Sequence, residues 1–451
     1  MKIGLIAISG VRSADAELME FGLTLPGFVE RSKVIASLPS LSLLTLAALT
    51  PSDVEVEYRE VADLQAEGDL PGDYDLVAIS SYTGQIFDAY RVAERYRARG
   101  IPVVMGGLHV SVLPEEARAH GATAVVGEGE LSWPRVVEDF RQGRLQGEYR
   151  PQAGATFDLA QAPVPRYELL DLERYNRLTV QTSRGCPHRC EFCASSILLT
   201  PRYRVKPVAR IVAEIRRIKE LWPEPFIEFA DDNSFVDRAH SRELLHALRG
   251  EGVKWFTEAD ISIADDPELL DGMSASGCRQ VLIGLESPGA AGLDGLELRS
   301  NWKLRRQPNY EAAIRRIQAK GITVNGCFVL GLDGQTEQVF DDVYEFVERS
   351  GLYEVQITVL TPFPGTPLYR RLEQEGRLLE KGAWEKCTLF DVNHVPTGMS
   401  PARLRQGLID LAQRLYERTF VERRRRRFFQ QLRGARGVTR ARGEGDPQHE
   451  T

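Results

Sequence analysis

Short runs of β-branched and aliphatic residues alternate with longer amphipathic stretches along the first 150 positions. Runs at Lys2 to Ile8, Val54 to Val61, Leu76 to Ser81, Val103 to Gly107 and Ala124 to Gly129 predict strands, and stretches such as Ile86 to Arg99 are long enough for crossover helices. The alternation predicts an α/β unit over residues 1–150, a Rossmann-like parallel sheet with helices on both faces. Around Pro151, Gly154, Pro163 and Pro165 the periodicity lapses, which predicts a linker over 151–177. A second alternation starts at Leu178, with strand runs at Leu178 to Thr182, Pro225 to Ala230, Lys254 to Glu258, Gln280 to Leu285, Thr323 to Gly331 and Glu354 to Leu360. With helices such as Val208 to Leu221 and Tyr310 to Lys320 between them, these make six β/α units, a partial barrel over 178–370 rather than a closed one of eight. No strand pattern follows Pro362-Phe363-Pro364-Gly365. Residues 371–430 read as a helical region, with a charged helix over Pro401 to Phe428, and the Gly- and Arg-rich residues 431–451 predict disorder.

Composition narrows the class. At 451 residues, 43% hydrophobic and 27% charged, the chain has enough apolar mass for two or three cores, and no apolar run reaches the roughly 20 residues of a membrane span. The first residues run directly into a strand without a cleavable leader, so a cytoplasmic location is expected. The net charge of -7 is uneven: from Pro401 onward the chain carries +7, so the first 400 residues carry -14, and nucleic acid is excluded as a partner of the main body. The run Arg423 to Arg427 lacks aromatic interleaving and reads as a solvated helix face.

Six cysteines are too few for a disulfide framework, yet Cys186, Cys190 and Cys193 crowd into eight residues, which suggests a metal. Cys278, Cys327 and Cys387 each stand alone in an apolar stretch and read as buried small hydrophobes. The segment Ser183-Arg184-Gly185-Cys186-Pro187-His188-Arg189-Cys190-Glu191-Phe192-Cys193 follows the first strand of the second unit, on the face of a β/α architecture where ligands bind. Three thiolates on one short loop leave one iron of a cubane cluster open to another ligand. The competing reading is a zinc site, which needs a fourth ligand, and the nearby His188 is awkwardly spaced to supply it.

This segment resembles the signature of the radical S-adenosylmethionine (SAM) superfamily, with Phe192 as the aromatic residue before the last Cys. The resemblance implies a [4Fe-4S] cluster on Cys186, Cys190 and Cys193, SAM on the open iron, and reductive cleavage to a 5′-deoxyadenosyl radical. By the same resemblance Phe192, Asp231, Asp232, Glu258, Glu286 and Thr361 contact SAM, with Glu258 and Glu286 at its ribose and amine. The plainer reading of strand-end carboxylates is helix capping, which suits Asp265 and Asp266 and stands level with binding for Asp232 and Asn233.

In the first unit, small polar residues and glycines gather at successive strand ends: Ser80, Ser81, Tyr82 and Thr83; then Gly106, Gly107 and His109; then Gly127, Glu128 and Gly129. A large ligand can approach the backbone there, in the crevice at the carboxyl edge of an open sheet, and no dinucleotide fingerprint follows the first strand. This resembles the B12-binding domain that precedes the barrel in one class of radical SAM enzymes, so those ten residues are implied cobalamin contacts. The chain departs from the Asp-x-His-x-x-Gly pattern that ligates cobalt from below, since none of its seven His lies two after an Asp. His109 reads equally as a cobalt neighbour or a loop histidine.

The implied function is a cobalamin-dependent radical SAM methyltransferase acting on a small metabolite. An electron would come from an external flavodoxin or ferredoxin. The alternatives are a radical rearrangement, oxidation or cyclisation without methyl transfer, aminocarboxypropyl transfer with the first domain lacking cobalamin, and a non-catalytic cobalamin or redox sensor. No other Cys-rich region follows the barrel, which argues against auxiliary clusters.

Overall fold

The computed structural model describes residues 1–11, 13–20, 38–64, 68–194 and 202–443. Six parallel strands form the first sheet: β1 (Lys2–Ile8), β2 (Glu55–Val61), β3 (Leu76–Ser81), β4 (Val103–Gly106), β5 (Thr123–Val125) and β6 (Glu148–Tyr149). Their spatial order is β2-β1-β3-β4-β5-β6, so the reversal beside β1 and β3 opens a crevice at their carboxyl ends. Continuous apolar runs such as Ile3, Leu5, Ile6 and Ile8 are what a sheet buried on both faces requires. Helices Leu41–Leu49 and Gly129–Arg141 cover one face and Ile86–Ala98 the other.

The second sheet begins with β7 (Leu178–Val180). A two-stranded ribbon of β8 (Ser183–Arg184) and β9 (Arg204–Val205) stands beside it. The sheet continues through β10 (Phe226–Phe229), β11 (Lys254–Glu258), β12 (Cys278–Glu286), β13 (Thr323–Leu330) and β14 (Glu354–Val359). All pairings in it are parallel and sequential from β7 to β14, a six-stranded partial barrel as the alternation predicts. Helices such as Val208–Leu221 bury Ile211, Ile215 and Ile218, one stripe at helical spacing, against the barrel's outer face.

The connecting segment is less free than a linker. Tyr167 is fully buried and its hydroxyl donates to Thr179 O at 2.8 Å, while Leu170 and Tyr175 join the barrel core. The C-terminal region is helical, as expected. Helices span Pro367–Gln374, Pro401–Tyr416 and Arg418–Gly443, but the stretch between the first two is largely irregular. It crosses back to the first unit, where Tyr369, Trp384 and Cys387 fill the core under helix Ile86–Ala98. The Pro401 helix breaks at Glu417, and its successor continues through Gly443, so the tail expected to be disordered is helical over its first part. Residues 444–451 lie outside the described residues. In the arginine run, Arg424 is buried with its guanidinium on Leu415 O, whereas Arg423 and Arg425 pair with Glu348 and Glu354 on the surface.

Candidate active site

The cysteine loop is fastened at both ends. Where β7 ends, the Asp231 carboxylate accepts from the backbone N–H of Thr182 at 2.7 Å and of Ser183 at 2.9 Å, and from the hydroxyls of Thr182, Ser183 and Ser234. Asp232 accepts from Gly185 N–H at 2.7 Å. Gly185 has φ +95°, a turn open to glycine that places Cys186 directly after the ribbon. At the far end, Glu297 accepts from Arg189 N–H at 3.2 Å and its carboxyl is held down at about 2, because hydrogen bonds from Ser300 and backbone amides overcome its burial. Arg371 forks onto Glu191, with the closer contact at 2.6 Å.

Cys186, Cys190 and Cys193 line one cavity of about 490 Å³ inside the barrel mouth, together with Phe192. Burial pushes the Cys186 thiol up to about 11 and the Cys190 thiol to about 12. Asn233 Nδ2 lies 3.6 Å from Cys186 Sγ, a hydrogen bond of the kind that tunes a thiolate-bound cluster. Among the described residues, no three His, Cys, Asp or Glu side chains close around a single ion. His188 lines the same cavity, with Nε2 3.2 Å from Asp260 and its ring packed 4.2 Å from Trp302. Three thiols facing one cavity suit a cluster whose irons each take one.

Asp232, Glu258, Glu286 and Thr361 also reach this cavity. Asp231 does not: it is buried and spends its oxygens on the loop, so its place as a SAM contact is corrected to a clamp. Glu286 sits at φ +64°, a costly conformation for a side chain other than Gly, and forms a buried ion pair with Lys303 at 2.7 Å. Burial opposes the Lys303 charge, yet Glu286 and the nearby Cys190 hold its pKa well above the usual lysine value. Lys303 belongs to a basic helical stretch, Trp302–Arg306, and nothing in that stretch signals an inward lysine. Cys327 is not the buried hydrophobe expected, since it faces the same cavity from β13, while Cys278 and Cys387 are buried as expected. Glu258 pairs in register with Leu282, four residues short of Glu286 on the next strand, so it lies deeper in the lumen. Its side chain is exposed, but into the cavity, and enclosure by the barrel walls together with the charges of Glu228 and Asp232 pushes its carboxyl up to about 8.

A second cavity of about 510 Å³ opens in the crevice of the first sheet. Ser80, Tyr82, Gly106 and Gly107 line it, as do Gly127, Glu128 and Gly129. Gly107 (φ +107°) and Gly127 (φ +79°) keep its wall free of side chains. Tyr82 is 52% exposed, into the crevice. Ser81, Thr83 and His109 are not among the lining residues, which corrects three expected contacts. His109 is 1% exposed, with Nε2 3.1 Å from Glu116 and its ring edge-on to Trp384, so it is a core histidine. The barrel closes the crevice with Gln181, Arg184, Lys206 and Asp232. Asp232 thus borders both cavities. An open, glycine-lined crevice at the reversal point suits a ligand as large as cobalamin.

Three family models match the chain: the radical SAM superfamily over residues 180–347, the B12 binding domain over 42–137, and a domain of unknown function over 366–448. An uncharacterized methyltransferase of Synechocystis is 31% identical over 80% of this chain and 67% of its own length. The bacteriochlorophyllide d C-12(1)-methyltransferase of Chlorobaculum tepidum is 27% identical over 85% of this chain and 84% of its own. In fold, the chain resembles the radical SAM methyltransferase TsrM of Kitasatospora setae, solved with tryptophan and a SAM analogue. The TM-score is 0.65 at 18% identity, covering 90% of this chain and 83% of that one.

Proposed function

Since the chain belongs to the radical SAM superfamily, in the class whose barrel follows a B12-binding domain, we propose that it methylates a small metabolite. The observation that carries this reading is that the cysteine-lined cavity and the glycine-lined crevice meet at Asp232. When bound, a [4Fe-4S] cluster supplies the electron that splits SAM, and cobalamin supplies a methyl carrier.

The chain's own residues supply placement. Cys186, Cys190 and Cys193 hold the cluster, and Asn233 donates to the first of them. Phe192 and Thr361 flank SAM, Glu286 and Asp232 accept from it, and Lys303 fixes the Glu286 carboxylate. Ser80, Tyr82 and the glycines at 106, 107, 127 and 129 cradle cobalamin in the crevice. Glu128 acts indirectly, held below the usual carboxylate range because Arg204 and Arg184 overcome its burial. The electron comes from an external donor of the flavodoxin or ferredoxin type.

The test is product analysis with anaerobic protein loaded with iron, sulfide and hydroxocobalamin, given reductant, SAM and candidate metabolites. Deoxyadenosine together with S-adenosylhomocysteine is expected. Methylthioadenosine in their place would mean aminocarboxypropyl transfer, and a transformed substrate without S-adenosylhomocysteine would mean a radical rearrangement.

A further inference from the structure

The cavity behind the cysteines does not end at the level of Glu286. It runs down the lumen to the third residue of three consecutive strands, Gln280 on β12, Asn325 on β13 and Gln356 on β14. Barrel interiors of this type are ordinarily filled by layers of branched apolar side chains, so three amides low on adjacent strands, each stepped two residues from the last by register, are a departure. Asn325 and Gln356 are each only 5% exposed, and the Asn325 Oδ1 and Gln356 Oε1 oxygens have no hydrogen-bond partner. A buried acceptor left unmet is costly, and its presence in a cavity calls for a donor from outside the chain.

Two features of the same lumen specify that donor. Glu258 presents its carboxyl to the cavity with no hydrogen bond or ion pair to it among the described residues, beside Glu228, whose charge is already answered by Arg177. Around the whole cavity five carboxylates, Glu228, Asp232, Glu258, Asp260 and Glu286, face two cations, Arg177 and Lys303. Phe226 and Phe256, from the two strands that carry Glu228 and Glu258, also line the cavity, flat surfaces that favour a ring or a cation.

We infer that the lower lumen is the substrate's site and that it selects a compact polar molecule, an amine that brings further N–H or O–H donors, over an apolar polycycle. The amine meets Glu258, and the other donors meet Asn325 and Gln356. This rests on the reading that SAM occupies the mouth, beside Glu286 and the cysteines. SAM carries an ammonium of its own, so the two sources of an amine must be separated by experiment.

The experiment uses the full chain loaded with cluster, hydroxocobalamin and SAM without reductant, so that nothing turns over. Saturation-transfer NMR is recorded with L-tryptophan, glucosamine and spermidine as amine probes and with squalene in cyclodextrin as the apolar probe. At least one amine is expected to receive transfer, with affinity falling at least tenfold in Asn325→Leu and Gln356→Leu while SAM affinity stays within twofold. Transfer to squalene alone, or to none of the probes, overturns the inference. Loss of SAM affinity in the variants assigns the floor to SAM and also overturns it. Because the amide oxygens have no partner to lose, the melting temperature of both variants is expected to hold or rise. A fall of several degrees with loss of cluster absorbance would mean a structural role and reject the inference. None of these readouts depends on methyl transfer, so failure here and failure of the methyltransferase reading are distinct.

Discussion

Asp231 and Asp232 are neighbours in the chain with opposite fates. One is enclosed and answers five donors at the root of the cysteine loop, and the other borders both cavities. Asp231→Ala would strand two backbone amides and take an acceptor from three hydroxyls, of which Ser234 keeps Thr257 as a partner, so a loss of about 3 kcal/mol in unfolding free energy is expected. Chemical denaturation of the cluster-loaded protein measures it, with reduced iron content as a companion sign. Sequence alone could not separate the two, because which carboxylate turns inward is decided by Thr182 and Ser183, roughly fifty positions earlier. His109 was ambiguous for the same reason, since its partners Glu116 and Trp384 settle its place. Glu258 invites a second test. Its folded pKa of about 8 lies above that of an exposed glutamate, so the folded chain holds a proton that the unfolded chain gives up. Stability from this group is therefore present at acid pH and lost as pH rises towards and through 8. Glu258→Gln should match the wild type in melting temperature at pH 5 and exceed it at pH 8.5, measured with SAM absent.

Among elements, the smallest carry the most consequence. The ribbon of β8 and β9 is two residues per strand, too short for any pattern to reveal, yet it sets Arg184 and Arg204 on the Glu128 carboxylate at 2.5 and 2.6 Å. Arg184 also reaches Glu130 at 2.7 Å and stands two residues before Cys186. The crevice loop and the cysteine loop are thus tied by one guanidinium. Arg184→Ala leaves two carboxylates short of a partner in a half-buried place, and we expect weaker cobalamin retention on gel filtration together with a changed electron paramagnetic resonance line shape of the reduced cluster. Arg184→Lys should restore only part of either, lacking the fork that serves two carboxylates at once. The longer strands, by contrast, were legible to within two residues at most of their ends, because an apolar run bounded by turn residues is a local signal. Inward polar positions were legible in principle: Gln280, Asn325 and Gln356 each set an amide near the start of a strand.

At the scale of the whole molecule, the two units share more than a boundary. Leu18 and Leu44, from the first, belong to the barrel core, and Tyr369, Trp384 and Cys387, from beyond the barrel's last strand, belong to the core of the first sheet. Trp384 Nε1 donates to Glu116 at 3.1 Å, and Asp391 accepts from Ser13 and from the amides of Ala14 and Asp15. A fragment of residues 1–177 should therefore bind a hydrophobic dye and unfold without a sharp urea transition, whereas the full chain should not bind the dye. No helix among the described residues is long and apolar enough to cross a membrane. The division into a sheet, a partial barrel and a C-terminal region followed from periodicity, but this exchange of core residues did not, because nothing local marks Trp384 as belonging to a sheet that begins at residue 2.

The return of Trp384 to that first sheet also sets an order of events during synthesis. Its apolar partners in the first unit are complete once Ala124 has left the ribosome, yet Tyr369, Trp384 and Cys387 arrive more than two hundred residues later. At about 5–20 residues per second the uncovered face waits on the order of 10–50 s, an interval in which nascent chains depend on chaperones. Cys186, Cys190 and Cys193 emerge within that interval. The cell's iron-sulfur delivery machinery would then meet the three thiols before the last segment has fastened the molecule shut.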